Sequence, residues 1–298
     1  MISVSSIANE QSSEQLILIA QAADTRDSGA SEPQSVPSGK WISNGEHLGK
    51  WWKKRARKFA TLPPEWLYHL EGEYSLSGET GNTEETYHKG KLTLSLRKGL
   101  VNSNTSFTLE DQEQGEGSEV RTKEKMILDE FVYIELWEKI DLSGDLQWYT
   151  YNKRYIEDRY SAFAGLYFTF FDLPDYTLKL GTFYGYTTIS YMNDEIAKKN
   201  PELSFPDYSS DTLYIKPKFI WSVNDKLTFT LGGGYWRYLK DSDFFNWKLN
   251  FDLDYQLTKH VSIFGSYDVE YESSEIDQKL QGSEKRDAEF NVGIRINY

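Results

Sequence analysis

The side chains able to do chemistry in this sequence are few. It has four histidines (His47, His69, His88 and His260) and no cysteine. Disulfides, thiolate metal sites and thiol nucleophiles are therefore excluded. A serine hydrolase needs a serine and a histidine brought together, and no spacing marks such a pair. A carboxylate-histidine hydrolase needs its pair at a loop rim, and His88, just after Glu84 and Glu85, is the nearest arrangement. His69 with Glu71 and Glu73 reads more simply as a cluster of charge. No catalytic residue is assigned, and an outer-membrane hydrolase is the weakest of the functional readings. The acidic stretch Glu110-Asp111-Gln112-Glu113-Gln114-Gly115-Glu116-Gly117 could attract a hard cation such as Ca²⁺. Its spacing is not that of an EF-hand, so a solvated loop is the default. Gly232-Gly233-Gly234 precedes no helix and is not a phosphate loop; inside a strand it marks a bend or the close approach of a bulky neighbour such as Trp236. No cofactor or metal is expected.

The remaining charged residues are more informative, because they alternate with apolar ones. His69, Glu71 and Glu73; Lys89, Lys91 and Arg97; Asp141 and Asp145; Lys216 and Lys218; Lys248, Asp252 and Asp254; Asp268, Glu270 and Glu272; and Arg295 all occupy every second position. The positions between them carry Leu213, Ile215, Phe219 and Trp221, then Trp247, Leu249, Phe251, Leu253 and Tyr255, then Ile263, Tyr267, Val269 and Tyr271. Period two is the signature of strands with one apolar and one polar face. So many charges cannot be buried unpaired. They need water on a sheet surface, or a wet lumen with opposite charges on neighbouring strands. Lys216 and Lys218 lie two strands from Asp252 and Asp254, which offers such pairing.

The elements that position these residues are expected to be twelve strands, near 66–77, 85–98, 100–111, 122–137, 140–152, 160–171, 177–191, 212–222, 226–239, 245–257, 261–273 and 287–298. Most run to about ten residues or more, the length of a tilted bilayer span. No run reaches the roughly 18 apolar residues of a membrane-spanning helix. Tight turns at Lys98-Gly99, Lys139-Ile140, 172–175, Asn224-Asp225 and Lys259-His260 alternate with longer polar loops near 111–121, 193–210 and 274–286. One-sided short turns are expected of a membrane barrel, whereas a soluble sandwich, the competing fold, has no reason to sort its loops. Twenty-one Tyr and nine Trp suit interfacial aromatic girdles. The last strand shows Phe290, Val292, Ile294, Ile296 and Tyr298 on one face and ends on an aromatic, as the assembly signal of outer-membrane barrels does. The fold class expected is therefore all-β: one transmembrane antiparallel up-and-down barrel over 66–298, with both termini periplasmic. The net charge of −13 argues against nucleic acid as a partner.

The first 65 residues differ in texture. Residues 1–40 are read as a disordered extension, in which 16–23 resemble a signal remnant. Over 41–65, Ser43 and Glu46 have capping-box spacing, and Leu48, Trp51, Trp52, Ala56 and Phe59 recur at helical spacing. With Lys50, Lys53, Lys54, Arg55, Arg57 and Lys58 this makes a short basic amphipathic helix stopped by Pro63 and Pro64. It is expected to dock on an anionic membrane surface, on a periplasmic partner or inside an acidic barrel mouth; a linker helix packed on its own domain is the plain alternative.

The stretch Ser75-Leu76-Ser77-Gly78-Glu79-Thr80-Gly81-Asn82-Thr83-Glu84 resembles the first hairpin of a bacterial outer-membrane β-barrel family of unknown function (DUF481) that includes the salt-induced, YdiY-type proteins. Arg154-Tyr155-Ile156-Glu157-Asp158-Arg159-Tyr160, followed by Ala164-Gly165-Leu166, is similar to its second recurrent region. The similarity spans 66–298 and leaves the first 65 residues outside. Tyr167, Phe168, Phe170 and Phe171 are bulkier than the family's usual Gly-rich strand. The resemblance implies a barrel in the outer membrane of a Gram-negative bacterium and supplies no activity or catalytic residue. The function expected is a narrow porin-like channel with slight cation preference, or an envelope-integrity protein. The alternative is a plugged barrel that binds a partner through its loops or its basic helix. Partners are outer-membrane lipid, lipopolysaccharide and the outer-membrane assembly machinery.

Overall fold

A computed structural model describes residues 51–53, 55–56, 64–79, 85–114, 121–241, 243–273 and 286–298. The expectations on 1–50 (His47 and the capping box included), on Lys54, Arg57, Lys58 and Phe59, on the 80–84 hairpin tip, on the acidic loop beyond Gln114 and on the 274–285 loop lie outside the described residues.

The alternation folds as twelve antiparallel strands: β1 (Leu67–Glu79), β2 (Glu85–Lys98), β3 (Val101–Gln114), β4 (Arg121–Glu135), β5 (Ile140–Tyr151), β6 (Ile156–Asp172), β7 (Tyr176–Tyr191), β8 (Tyr208–Ser222), β9 (Leu227–Tyr238), β10 (Phe245–Gln256), β11 (Val261–Glu272) and β12 (Arg286–Asn297). Each pairs with its sequence neighbours, and β12 returns to β1 to close the barrel. β6 begins at Ile156 rather than 160, and β8 at Tyr208 rather than 212. In both cases the early residues are polar (Glu157, Asp158; Ser209, Asp211), which hides the apolar alternation there.

Closure removes the unpaired edge that an open sheet would expose. The β1–β12 register runs from Glu71↔Asn297 to Leu76↔Val292. Beyond it, Tyr298 extends the seam: Leu70 N donates to Tyr298 O at 2.9 Å and Tyr298 N donates to Leu70 O at 2.8 Å. At one end of the barrel the strands are joined by the short turns around Gly99, 136–139, 173–175, 223–226 and 257–260. Gly99 has φ +56°, a conformation that favours glycine. The other end carries a short helix, α1 (Asn193–Lys199), between β7 and β8, but the β5–β6 and β9–β10 connections there are tight as well.

Large apolar residues form an outward belt, while a second, mostly aromatic set packs inside. Leu92, Leu146, Tyr184, Leu253, Val292 and Ile294 are all exposed, and this belt continues round the barrel. Trp66, Trp137, Phe171, Trp221, Tyr255 and Tyr298 ring the short-turn end. A β-bulge between Thr169 and Phe171 turns both Phe170 and Phe171 to that girdle. A continuous exposed apolar belt with aromatic margins is stable in lipid and not in water. No described helix is long and apolar enough to cross a membrane; the crossing elements are strands. Inward, glycines make room for rings: a Cβ on Gly234 would lie 2.3 Å from Trp236, and one on Gly181 would lie 2.3 Å from Phe183.

Candidate functional site: a plugged lumen

The inward faces fill the barrel in three tiers. At the short-turn mouth the strand ends place Glu135 and Asp141 opposite each other in the β4–β5 register, both fully buried. Two carboxylates so close require a cation, and Arg55 supplies it from outside the barrel sequence. Its Nη2 donates to Asp141 Oδ1 at 2.5 Å and to the Trp137 carbonyl at 2.9 Å. Its Nη1 donates to Thr169 Oγ1 at 2.7 Å, and its Nε lies 3.5 Å from Glu135 Oε2. Ala56 N donates to the other Glu135 oxygen at 2.6 Å. The planar guanidinium fork can hold all of these at once, which an ammonium could not.

The preceding 3-10 turn, Trp51–Lys53, completes the closure. Trp51 is 1 % exposed, with the Arg97 guanidinium 5.4 Å from its ring. Trp52 stacks on His69 at 3.5 Å, 12° from parallel. Arg97 in turn donates to Asn102 Oδ1 at 2.5 Å. Residues 51–53, 55 and 56 therefore sit in the short-turn mouth as a plug, held by a charge fork and two indole rings. Of the basic helix expected around them, the described residues show this turn, Arg55 and Ala56.

The middle tier has two unlike walls. From β4 to β9 it is aromatic: Phe163, Tyr167, Phe183 and Tyr214 are buried, and Tyr214 stacks on Trp236 at 4.6 Å. From β10 round to β2 it is ionic. Arg295 donates to Asp254 at 2.6 Å and to Asp252 at 3.1 Å, while its Nε lies 3.3 Å from Glu73 and 3.6 Å from Glu71. Lys91 Nζ is 3.3 Å from Glu73. The pairing expected of Lys216 and Lys218 with Asp252 and Asp254 is not formed, because Arg295 occupies both acids. Lys216 instead reaches Asp145 on β5 at 2.7 Å.

The upper tier is cross-braced. Lys89 Nζ lies 3.0 Å from Asp268, and Asn250 donates to the same carboxylate. Lys125 on β4 meets Glu270 on β11 at 3.0 Å, and Arg154 and Arg159 meet Glu272 at 2.8 and 3.2 Å. Tyr149, Tyr151, Ile156, Ile189, Tyr238 and Phe244 pack together beside them. Strands from opposite sides of the barrel are thus tied through its interior.

All fifteen residues assigned to the lumen from the sequence lie on inward faces, including Lys248, which opposes Glu270 in register. Sequence reading placed Glu110 in a solvated acidic loop, whereas it is buried on β3, which runs on to Gln114; it left Lys125, Asp129, Glu135, Arg159 and Lys179 out of the lumen set. The same alternation places each of them inward, and counting charges on that face of β3, β4, β6 and β7 would have found them. The five outward residues of β12, from Phe290 to Tyr298, are exposed. The histidines are engaged elsewhere: His69 lies under Trp52, the His88 Nδ1 and the Tyr74 hydroxyl share a hydrogen bond of 2.9 Å on the outer face, and His260 Nδ1 lies 3.0 Å from the Asn297 carbonyl. No group of three metal-ligating side chains is found among the described residues.

Among solved structures, the chain is similar to the NanC porin (13 % identity, covering 77 % of this chain and 98 % of that one, TM-score 0.46). It is also similar to the KdgM porin (10 % identity, 77 % and 99 %, TM-score 0.42). A third likeness is to an outer-membrane channel from Pseudomonas putida F1 (10 % identity, 80 % and 97 %, TM-score 0.47). No curated protein sequence matches the chain. The family profile described as "protein of unknown function, DUF481" matches residues 72–298, and the chain belongs to that family.

Proposed function

We propose that this protein is a porin-like channel of the Gram-negative outer membrane, held shut at its periplasmic mouth by its own Trp51–Lys53 turn with Arg55 and Ala56. The observation that carries this reading is Arg55, buried between Asp141, Glu135 and Thr169 at the short-turn end. The exposed apolar belt supports a membrane location, and the short turns are the side that membrane barrels turn to the periplasm. A plug held by the Arg55 fork, the Ala56–Glu135 hydrogen bond and two indole rings, with no strand pairing, can leave without unfolding any strand, so the closed lumen is compatible with regulated passage.

A second reading, the closed barrel as a binding scaffold, is favoured by the braces Lys125–Glu270 and Arg159–Glu272, which cross the lumen above the plug. Planar-bilayer recording separates the two. The full chain is expected to be nearly silent, and Arg55→Ala is expected to show frequent stable openings. Silence of both, in protein that keeps heat-modifiable gel migration, would favour the scaffold and sink the channel.

A further inference from the structure

Nearly every luminal cation has its carboxylate, and the exceptions are informative. Lys248, with no ion pair of its own among the described residues, at least faces Glu270 across the ladder. Lys179 and Lys218 face each other: they are direct partners in the β7–β8 register, both pointing inward. Like charges directly opposite on neighbouring strands are destabilising. Lys179 is turned toward the Tyr133 and Tyr167 rings, at 5.9 and 5.7 Å. Asp141 and Glu135, carboxylates whose charge acts on it, are already held by Arg55. Lys218 has no ion pair among the described residues, and the charges that act on it most strongly are ammonium groups: Lys179, Lys216, Lys53 and Lys91.

This cluster is also where the lumen is open. Lys218 is exposed although it points inward. Lys91 and Lys216 keep 36 % and 27 % of their side-chain surface accessible, against 0 % for Asp145. On the other side of Lys218, its β9 register partner is Gly232, where an added Cβ would meet nothing within 4 Å. The glycine thus leaves a hollow beside the unpaired ammonium. Above it, the aromatic wall is packed and buried; below it stands the plug, with Lys53 exposed.

Ammonium groups gathered beside accessible space in the lumen have the chemistry of an anion site. We propose that Lys179, Lys216 and Lys218, completed by Lys53 of the plug, bind a multivalent oxyanion of phosphate or clustered-carboxylate type over Gly232. The anion offsets the Lys179–Lys218 repulsion and bridges the β7–β8 wall to the plug.

Calorimetric titration of the full chain in neutral detergent tests this, using inorganic phosphate in one arm and citrate in the other at ionic strength fixed with chloride. Saturable binding of either is expected, and the arm that binds more tightly names the oxyanion type. Lys218→Gln should weaken it about tenfold, roughly 1.4 kcal/mol. Lys53→Gln should weaken it less, and Lys218→Arg and Lys248→Gln should retain it. Absence of saturable binding in both arms overturns the site, as does an affinity that Lys218→Gln leaves unchanged in protein with normal heat-modifiable migration. Because binding is read without any conductance, a failure of the channel reading would leave this result standing, and the reverse holds too.

Discussion

Glu130 is the residue least suited to its surroundings. It lies on the outward face of β4, between exposed Leu128 and Val132, with Thr105 and Leu146 as its cross-strand partners. A carboxylate in a lipid-facing belt is costly, though less so than a lysine or arginine. Here two hydroxyls from β3 reduce that cost: Ser103 Oγ donates at 2.7 Å and Thr105 donates to the other oxygen. Replacing a buried or lipid-exposed charge by an apolar residue of similar volume is commonly neutral or stabilising. Glu130→Leu is therefore expected to raise the stability of the folded barrel by about 1 kcal/mol, read from the midpoint of urea unfolding in lipid vesicles. A destabilisation of that size would mean that the Ser103–Thr105–Glu130 group contributes more than it costs in the belt.

At the scale of elements, the seam between β1 and β12 closes the hydrogen-bond ladder, and its last two bonds belong to Tyr298. Deleting Tyr298 removes both and leaves the Leu70 amide and carbonyl unpaired near the membrane interface. At about 1 kcal/mol for each bond, a loss of about 2 kcal/mol is expected in the same urea titration, accompanied by slower insertion into vesicles. An unchanged midpoint would show that the seam ends at Asn297. The elements themselves were legible from sequence because side chains in strands alternate strictly, so the face of Arg295 or Lys216 follows once any neighbour is placed. The partners were not legible. Lys216 takes Asp145 across the lumen rather than the acids of β10, because such contacts depend on barrel stagger and side-chain reach, which alternation does not encode. Arg55 was read as one of several cations on a helix face. Its buried fork between Glu135 and Asp141 involves residues 80 and 86 positions away, and no local pattern marks it.

For the whole molecule, net charge is a poor guide to what an open lumen would pass. The value of −13 points to cations. Yet Glu73, Asp145, Asp254 and Glu272 are held in ion pairs, and the more accessible side chains are lysines: Lys218, with no ion pair among the described residues, and Lys91 and Lys216, whose side chains keep 36 % and 27 % of their surface against 11 % and 0 % for the acids they pair with. Selectivity follows the charges that line the water path, since a paired, desolvated carboxylate attracts a passing ion weakly. Removing the plug with Arg55→Ala frees Asp141 and Glu135 at the mouth, which adds an acidic ring below the lysine tier. The permeating ion then meets both, and the narrower tier decides. Lys216 on β8 reaches the Phe131 ring on β4 at 4.2 Å, and this tier is expected to set the selectivity. The Arg55→Ala channel is accordingly expected to prefer anions in a tenfold KCl gradient, and the double variant Arg55→Ala/Lys216→Gln to lose most of that preference. Cation preference in the first, unchanged in the second, would move the selective tier down to Glu135 and Asp141.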